Sequence, residues 1–386
     1  MDLIGWIGGF GSTVAGYVVP FLFVLTVVVF FHELGHVLVA RWCGVGVKVF
    51  SVGFGPEIYG FDDRKGTRWR LSAIPLGGYV KFLGDENEAS LKDREAVALM
   101  SPDERKAAFA TKPVAARAAI VAAGPLANFL LAIVIFTTIF AIFGREMMTP
   151  QVDTVIEDSA AQRAGFRPGD VVKSINGGRI EDFADLQRLV GLSGGDTLTV
   201  VVERDGGDVT LTAVPEVQEV TDRFGNLHRI GVLGLTRSTE SGEIVTRRYN
   251  VPEAALLATS ETWFVTSRTL TYLWEVVIGR ESADQLGGPI RVAEVSAQVA
   301  TLGIVALVNL AAILSISIGL INLFPIPMLD GGHLLFFSVE ALRGRPLSDR
   351  AQEIGFRIGF AAVVALMIFA TGNDISAILQ RISSTG

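Results

Sequence analysis

Long apolar stretches constrain the fold of this chain more than any other feature of its sequence. The run 3–31 contains no charged side chain, and half of the 386 residues are hydrophobic. A helix needs roughly 20 mostly apolar residues to cross a hydrocarbon core of about 30 Å. The sequence therefore predicts a membrane α-helical protein with four transmembrane helices, at 14–42, 114–143, 302–329 and 354–371.

The first stretch has a competing interpretation as a cleaved signal peptide. That interpretation needs a basic leader and an apolar region of only about 7–15 residues. This chain begins with "MD" and its apolar run is far longer, so we expect a retained helix. Arg117 and Arg357 lie near one end of the second and fourth stretches, where a long side chain can reach the interface.

Lysine and arginine predict the orientation of these helices. They are frequent between the first and second stretches and recur between the third and fourth, whereas neither end of the chain is rich in them. Because short basic loops stay in the cytoplasm, we expect both loops there and both termini outside. The net charge of -7, with acids between the bases, gives no indication of nucleic-acid binding. Cys43 is the single cysteine, which excludes an internal disulfide and a cysteine-based zinc site.

Two segments between the helices have patterns of their own. Apolar and small residues alternate in "VGVKVFSVGFGPEIYGF" and "RWRLSAIPLGGYVKFLG", which predicts short strands or hairpins, and a charged helix or loop follows them. The block 150–216 predicts a compact α+β domain, and its stretch "AAQRAGFRPGDVVKSINGGRI" resembles a PDZ domain. Such domains bind extended peptides at a sheet edge. A rigid spacer without a ligand is the alternative.

The segment 251–280 predicts an amphipathic helix lying on the outer leaflet. It mixes apolar and polar positions, and Trp263 and Trp274 suit a membrane interface. A fifth span is the alternative, but it would move the second basic loop to the other side. The predicted segments are a first helix 1–43, a cytoplasmic loop 44–113, a second helix 114–144, the PDZ-like domain 150–216, an extracytoplasmic linker 217–300, a third helix 301–330, a cytoplasmic loop 331–353 and a fourth helix 354–372.

The motif "HELGH" stands at the end of the first apolar stretch. His32 and His36 are four residues apart, so on a helix they face the same way and can bind one metal ion. Glu33 is placed to take a proton from a metal-bound water, as in the zincin motif HExxH. Because ionisable groups on a membrane helix are costly, we expect a functional site rather than a solvated helix face.

Catalytic zinc generally has three protein ligands, so a third is expected from another span. His228 lies outside the apolar stretches and is a poor candidate. Asp330 follows the uncharged third stretch, behind two prolines that interrupt a helix and before two glycines that free the backbone. We favour Asp330 over His333, whose alternative is a supporting or interfacial role.

The motifs together resemble a bacterial site-2 protease of the regulator-of-sigma-E type. They are "HELGH", "GPLAN" at 124–128 and "NLFPIPMLDGGH" at 322–333, with one PDZ-like domain between the second and third. The resemblance implies one zinc ion on His32, His36 and Asp330, with Glu33 as general base and acid. It implies a membrane-dipping β-hairpin carrying Gly77 and Gly78, and Asn322 with Pro325 as substrate-positioning residues. Asn128 and His333 are candidates for support behind the ligands.

The resulting hypothesis is an intramembrane zinc endopeptidase in the bacterial inner membrane, acting on single-span proteins such as anti-sigma factors or remnant signal peptides. The resemblance implies that another protease first removes the external part of the substrate. We expect the active site toward the cytoplasmic leaflet and the PDZ-like domain, with its peptide or carboxyl-terminal ligand, outside. A non-catalytic membrane scaffold with a structural metal site is the alternative.

Overall fold

The structure is a computed structural model that describes residues 3–84, 99–180, 182–221, 227–237, 245–280, 283 and 287–384. The helices are α1 (Leu3–Trp42), α2 (Pro102–Ala107), α3 (Val114–Ile142), α4 (Ala160–Ala164), α5 (Phe183–Gly191), α6 (Val251–Val277), α7 (Pro289–Ala300), α8 (Ile304–Leu323), α9 (Asp330–Arg343) and α10 (Asp349–Ser384). The strands are β1 (Val47–Asp62), β2 (Arg68–Phe82), β3 (Arg145–Met147), β4 (Thr154–Val155), β5 (Val171–Ile175), β6 (Gly178–Arg179), β7 (Leu198–Arg204), β8 (Gly207–Ala213), β9 (Glu216–Thr221), β10 (Leu227–Val232), β11 (Leu235–Thr236) and β12 (Val245–Arg247).

The chain forms two compact units. The first comprises Met1–Ile139 with Val251–Gly386, and the second comprises Phe140–Asn250. Within the described residues, four helices are long and apolar enough to cross a membrane, namely α1, α3, α8 and α10. The expectation of four apolar helices is therefore confirmed. A helix suits a bilayer because it satisfies its backbone N–H and C=O groups internally.

The third predicted span ends earlier than the apolar run. α8 stops at Leu323, and a non-helical segment leads to α9, which begins at Asp330. Pro325 and Pro327 end the helix because proline has no backbone N–H and disfavours a helical residue before it. Gly332 then lets α9 start against that segment, since a Cβ there would lie 2.6 Å from Pro327 Cα.

The segment predicted as the cytoplasmic loop 331–353 begins with a helix. α9 continues to Arg343 and ends at Gly344, whose φ of 70° is a left-handed helix cap. The stretch "HLLFFSVEALR" contains no glycine or proline, and its Phe337 is buried in an apolar cluster with Val37 and Ile120. The fourth predicted span, 354–372, is also only the middle of α10.

β1 and β2 form a small sheet of four short segments, because each strand bends. Residues 49–52 pair on one side with 78–81 and on the other with 68–71, which also pair with 59–62. The bends use left-handed glycines: Gly53 has φ 90°, and a Cβ there would lie 2.7 Å from Ile74 O. Within the described residues, 78–81 therefore forms an edge of this sheet. Some of the charged segment after β2 lies outside the described residues, and α2 forms at its end.

The second unit is built on the four-stranded sheet β6-β5-β7-β8. α4 and α5 contribute to its apolar core, whose buried members include Phe166, Leu186, Val200 and Val202. The chain after 216 returns to this unit, because β11 pairs with β4 and β12 with β3. The beginning of the predicted linker 217–300 therefore belongs to a folded unit. Short strands whose partners lie far back in the chain have no strong local pattern.

Two helices follow in the rest of the predicted linker. α6 covers the segment predicted as amphipathic, and its Trp263 and Trp274 are 70% and 63% exposed. α7 was not predicted from the sequence. It packs against α1 and α8, and Asp374 of α10 accepts hydrogen bonds from the backbone N–H groups of Gly288 and Arg291 at its start.

Candidate metal centre

The two histidines of "HELGH" lie side by side on α1. His32 and His36 are each 8% exposed, their ring centroids are 4.9 Å apart, and their Nε2 atoms are 3.3 Å apart. This arrangement follows from helix geometry, which places positions i and i+4 on one face. Two imidazole nitrogens therefore face one point inside the bundle.

Asp330 completes the cluster from α9. Its Oδ2 lies 3.1 Å from His32 Nε2 and 3.5 Å from His36 Nε2. The three residues offer ligand atoms that all lie within 4.8 Å of one another, and they form the one group of this kind among the described residues. The break between α8 and α9 is what places this carboxylate at the start of a helix facing α1.

The chemistry of the three residues fits a zinc ion. Asp330 Oδ2 is buried and accepts no hydrogen bond, so a negatively charged oxygen lies beside two ring nitrogens without a donor. Burying such a group is unfavourable unless a cation compensates for it. Two imidazoles and one carboxylate form a common ligand set for catalytic zinc, which leaves a position for water.

α3 supports both histidines from behind. His36 Nδ1 donates a hydrogen bond to the Ile120 carbonyl oxygen at 2.9 Å, which leaves the lone pair of a neutral ring on Nε2. The Asn128 amide lies 3.2 Å from His32 Nδ1, and Asn128 is fully buried. Such contacts fix the orientation and the tautomer of a metal-binding histidine.

A glycine makes room for the two rings. A Cβ on Gly124 would collide with His36 Nε2 and would lie 3.0 Å from His32 Cε1. Gly319 of α8 makes room in the same way for Asn128, because a Cβ there would lie 3.0 Å from Asn128 Cβ. Ser315 of α8 donates a hydrogen bond to the Asn128 carbonyl oxygen at 2.9 Å. The two histidines and their supports are therefore packed between α1, α3 and α8.

β2 passes close to Glu33. A Cβ on Gly78 would lie 2.7 Å from Val29 Cγ1 and 3.1 Å from Glu33 Cγ, so only glycine allows this approach. Gly77, its neighbour, has φ 100°. The two glycines bring the edge segment 78–81 against the helix face that carries Glu33.

A second contact fixes the turn between β1 and β2 to the end of α1. Asp63 accepts hydrogen bonds from Arg41, from Trp69 Nε1 at 3.0 Å and from the backbone N–H of Thr67 at 3.0 Å. Burial raises the pKa of Asp63, but the donors from Trp69, Arg41 and the turn backbone outweigh burial and hold it below its usual range. The hairpin is thus attached to α1 at two points.

The remaining predicted site residues lie outside the cluster of His32, His36 and Asp330. Asn322 is half-buried in the last turn of α8, and Pro325 is exposed in the segment that follows. His333 is not a member of the three-residue group; its ring packs near Phe337 and Phe356, with centroid distances of 6.4 Å and 5.5 Å. His228 lies on β10 in the second unit.

Sequence reasoning missed two supports of the site. The Ile120 carbonyl is a backbone group and gives no sequence signal. Arg117, which we expected to reach the interface, is instead 4% exposed and forms an ion pair with Glu340. Its position four residues into an apolar helix was the available signal, since a charge there needs a partner when it is buried.

Comparisons with known proteins identify relatives along nearly the whole chain. The family model of peptidase family M50 matches residues 20–366. A proposed zinc metalloprotease of Agrobacterium fabrum is 51% identical over 364 residues, which is 94% of this chain and 97% of that protein. Metalloprotease MmpA of Caulobacter vibrioides is 39% identical over 381 residues, covering 93% and 95%. The PDZ domain of an SdrC-like protein from Listeria monocytogenes has 16% identity over 24% of this chain and 87% of that chain, with a TM-score of 0.18, which is too low to assign a fold.

Proposed function

Because the chain belongs to peptidase family M50, we propose that it is an intramembrane zinc endopeptidase that cleaves single-span membrane proteins within their transmembrane segments. The observation that carries the proposal is the convergence of His32, His36 and Asp330, beside Glu33, inside a bundle of apolar helices. Relatives that are named as proposed zinc metalloproteases support the same chemistry.

Each residue of the centre has a distinct role in this proposal. His32, His36 and Asp330 would hold one zinc ion, which when bound would polarise the scissile carbonyl and make a water molecule more acidic. Glu33 takes a proton from the attacking water and delivers it to the departing amide nitrogen. The Ile120 carbonyl keeps the His36 ring in the tautomer that presents Nε2, and Asn128 holds the His32 ring in place at Nδ1.

The hairpin gives the substrate a place to unfold. A transmembrane helix has its carbonyl groups in hydrogen bonds, so cleavage requires local unwinding, and the freed groups need partners where water is scarce. The strand segment 78–81 lies next to Glu33 at an edge of its sheet, and a substrate can add to it as a strand. Asn322 in the last turn of α8 and Pro325 in the break that leads to Asp330 are further positioning residues for that strand.

The second unit screens substrates in this proposal. We assign it as a PDZ domain on the extracytoplasmic side, where it binds a peptide or a new carboxyl terminus or excludes bulky proteins. The centre lies toward the cytoplasmic leaflet of a bacterial inner membrane. Anti-sigma factors and remnant signal peptides, shortened beforehand by another protease, are the substrate classes.

Replacement of Glu33 tests the proposal. Glu33→Gln removes the base and preserves the shape of the side chain, so we expect full zinc content and loss of cleavage, by about 100-fold or more. Zinc content is measured by mass spectrometry on the purified full chain. Cleavage is measured with the chain and a single-span substrate reconstituted together in lipid vesicles. Unchanged cleavage by Glu33→Gln would contradict the mechanism, and absence of cleavage of single-span proteins by the unmodified chain would favour the scaffold.

A further inference from the structure

A buried ion pair joins α3 to α9. Arg117 Nη2 and Nη1 donate to the two carboxylate oxygens of Glu340 at 2.6 Å and 3.2 Å, and Arg117 Nε donates to the Lys112 carbonyl oxygen at 3.0 Å. The side chains are 5% and 14% exposed. A two-pronged pair of this kind fixes orientation as well as distance, because the guanidinium is planar.

The pair acts on the helix that begins with Asp330. Glu340 lies ten residues after Asp330 on α9, which is about 15 Å at a rise of 1.5 Å per residue. Phe337 lies between them along the helix, with Arg117 4.8 Å above its ring, and it is buried against α1 and α3. α9 is therefore held against α3 near its end, while the Oδ2 atom of Asp330 at its beginning accepts no hydrogen bond.

The contacts of α3 fall on one helix face. Arg117, Ile120, Gly124 and Asn128 are spaced by three, four and four residues, which places them on a single stripe. Ile120 contacts His36, Gly124 makes room for both rings, and Asn128 contacts His32. α3 provides no ligand of the cluster, yet this stripe touches both histidines directly and reaches Asp330 through α9.

We propose that Arg117 and Glu340 are positioning residues of the metal centre, which fix α9 on the α3 stripe and thereby hold the Asp330 carboxylate against the two imidazoles. The inference rests on the proposed function, since it takes His32, His36 and Asp330 as the ligands. Without the pair, α9 loses its fixed register on α3, and the carboxylate no longer meets both Nε2 atoms. The pair itself contacts neither substrate nor metal.

Metal binding by the full chain in detergent tests this inference. Glu340→Gln is expected to weaken zinc affinity, measured by chelator competition, by about 10- to 100-fold, as for other residues that orient metal ligands. The absorption spectrum of the cobalt-loaded chain should change at the same time, since it reports ligand geometry. The exchanged pair Arg117→Glu with Glu340→Arg restores the attraction between the helices and is expected to recover most of the affinity.

Two control variants separate positioning from general effects. Glu353→Gln removes the same charge from an exposed ion pair on α10, and Val24→Ala opens a cavity in a separate apolar cluster of α1 and α8. Both should keep the zinc affinity and the cobalt spectrum. The inference would be overturned if Val24→Ala lost as much zinc affinity as Glu340→Gln, or if Glu340→Gln bound zinc with wild-type affinity. If Glu340→Gln fails to fold, Arg117→Lys, which keeps the charge but not the planar fork, takes its place with the same expectation.

Asp330→Ala distinguishes failure of this inference from failure of the proposed function. Wild-type zinc affinity in Asp330→Ala would remove the ligand assignment and with it both proposals. Weak binding by Asp330→Ala together with normal binding by Glu340→Gln would leave the proposed function intact and overturn only the role of the ion pair.

Discussion

Gly124 and Asn128 show how single positions on α3 determine the site. One has no side chain and leaves the space that the two histidine rings occupy; the other is fully buried and meets His32 Nδ1. In the motif "GPLAN", the glycine therefore leaves room for the histidine rings and the asparagine contacts one of them through its side-chain amide. Neither residue binds a metal ion itself.

Gly124→Ala is expected to weaken metal binding even though it favours the helix. Alanine in place of a helical glycine stabilises a helix by roughly 0.5–1 kcal/mol. Here the new methyl group collides with His36 and displaces the rings, so zinc content should fall while thermal stability changes little. Gly16→Ala on α1 is the matched control, because a Cβ there meets no atom within 4 Å. Equal zinc content in the two variants would contradict the account.

At the scale of elements, β2 packs against the face of α1 that carries Glu33. Gly78 brings the edge segment 78–81 onto the helix, and the Arg41–Asp63 contact fixes the turn at the other end of the hairpin. Because the proposed metal ligands are on α1 and α9, a displaced hairpin should leave metal binding intact. Cleavage and metal binding are therefore separable at this point.

Gly78→Val is expected to reduce cleavage by roughly tenfold or more without lowering zinc content. The branched side chain cannot fit against Val29 and Glu33, so β2 moves away and a substrate strand is no longer held beside the base. The measurement compares zinc content with cleavage rate in vesicles. Loss of zinc in parallel with activity would mean that the hairpin supports the metal centre rather than the substrate.

The ion pair of Asp170 with Arg204 is expected to make the stability of the second unit depend on pH. Arg204 donates to both carboxylate oxygens of Asp170 at 2.8 Å, and the backbone N–H of Arg167 donates to one of them at 2.8 Å. Burial raises the pKa of Asp170, but the donors from Arg204 and Arg167 outweigh it and hold the pKa below its usual value of 3.8. The folded form then binds fewer protons than the unfolded form, so this contribution to stability is present above about pH 4 and is lost as pH falls below that.

Asp170→Asn should remove that dependence and lower the stability of the second unit by roughly 3 kcal/mol at neutral pH, because Arg204 loses its charged partner. Denaturant unfolding of the full chain, followed by hydrogen exchange in β5 and β7, measures both effects. Asp196→Asn, at an exposed position, is the control. An unchanged pH profile in Asp170→Asn would contradict the assignment.

At the scale of the whole molecule, the sequence predicts those features of the fold and the site that depend on local periodicity and composition. The four apolar helices, the pairing of His32 with His36 and the break before Asp330 follow from local patterns and from the chemistry of a third ligand. The sequence does not predict contacts between residues that are far apart in the chain. Arg117 and Glu340 are 223 residues apart, and β11 completes a unit that was expected to end at 216. The hydrogen bond to the Ile120 carbonyl cannot be predicted from the sequence, because every residue has a backbone carbonyl.

The position of the cleaved bond tests the central claim most directly. A single-span substrate and the full chain are reconstituted together in vesicles, and mass spectrometry of the products locates the cleavage. We predict a cut inside the apolar segment of the substrate that disappears with Glu33→Gln and with zinc removal. A cut only in a soluble flanking region, or a cut that persists in Glu33→Gln, would contradict the account.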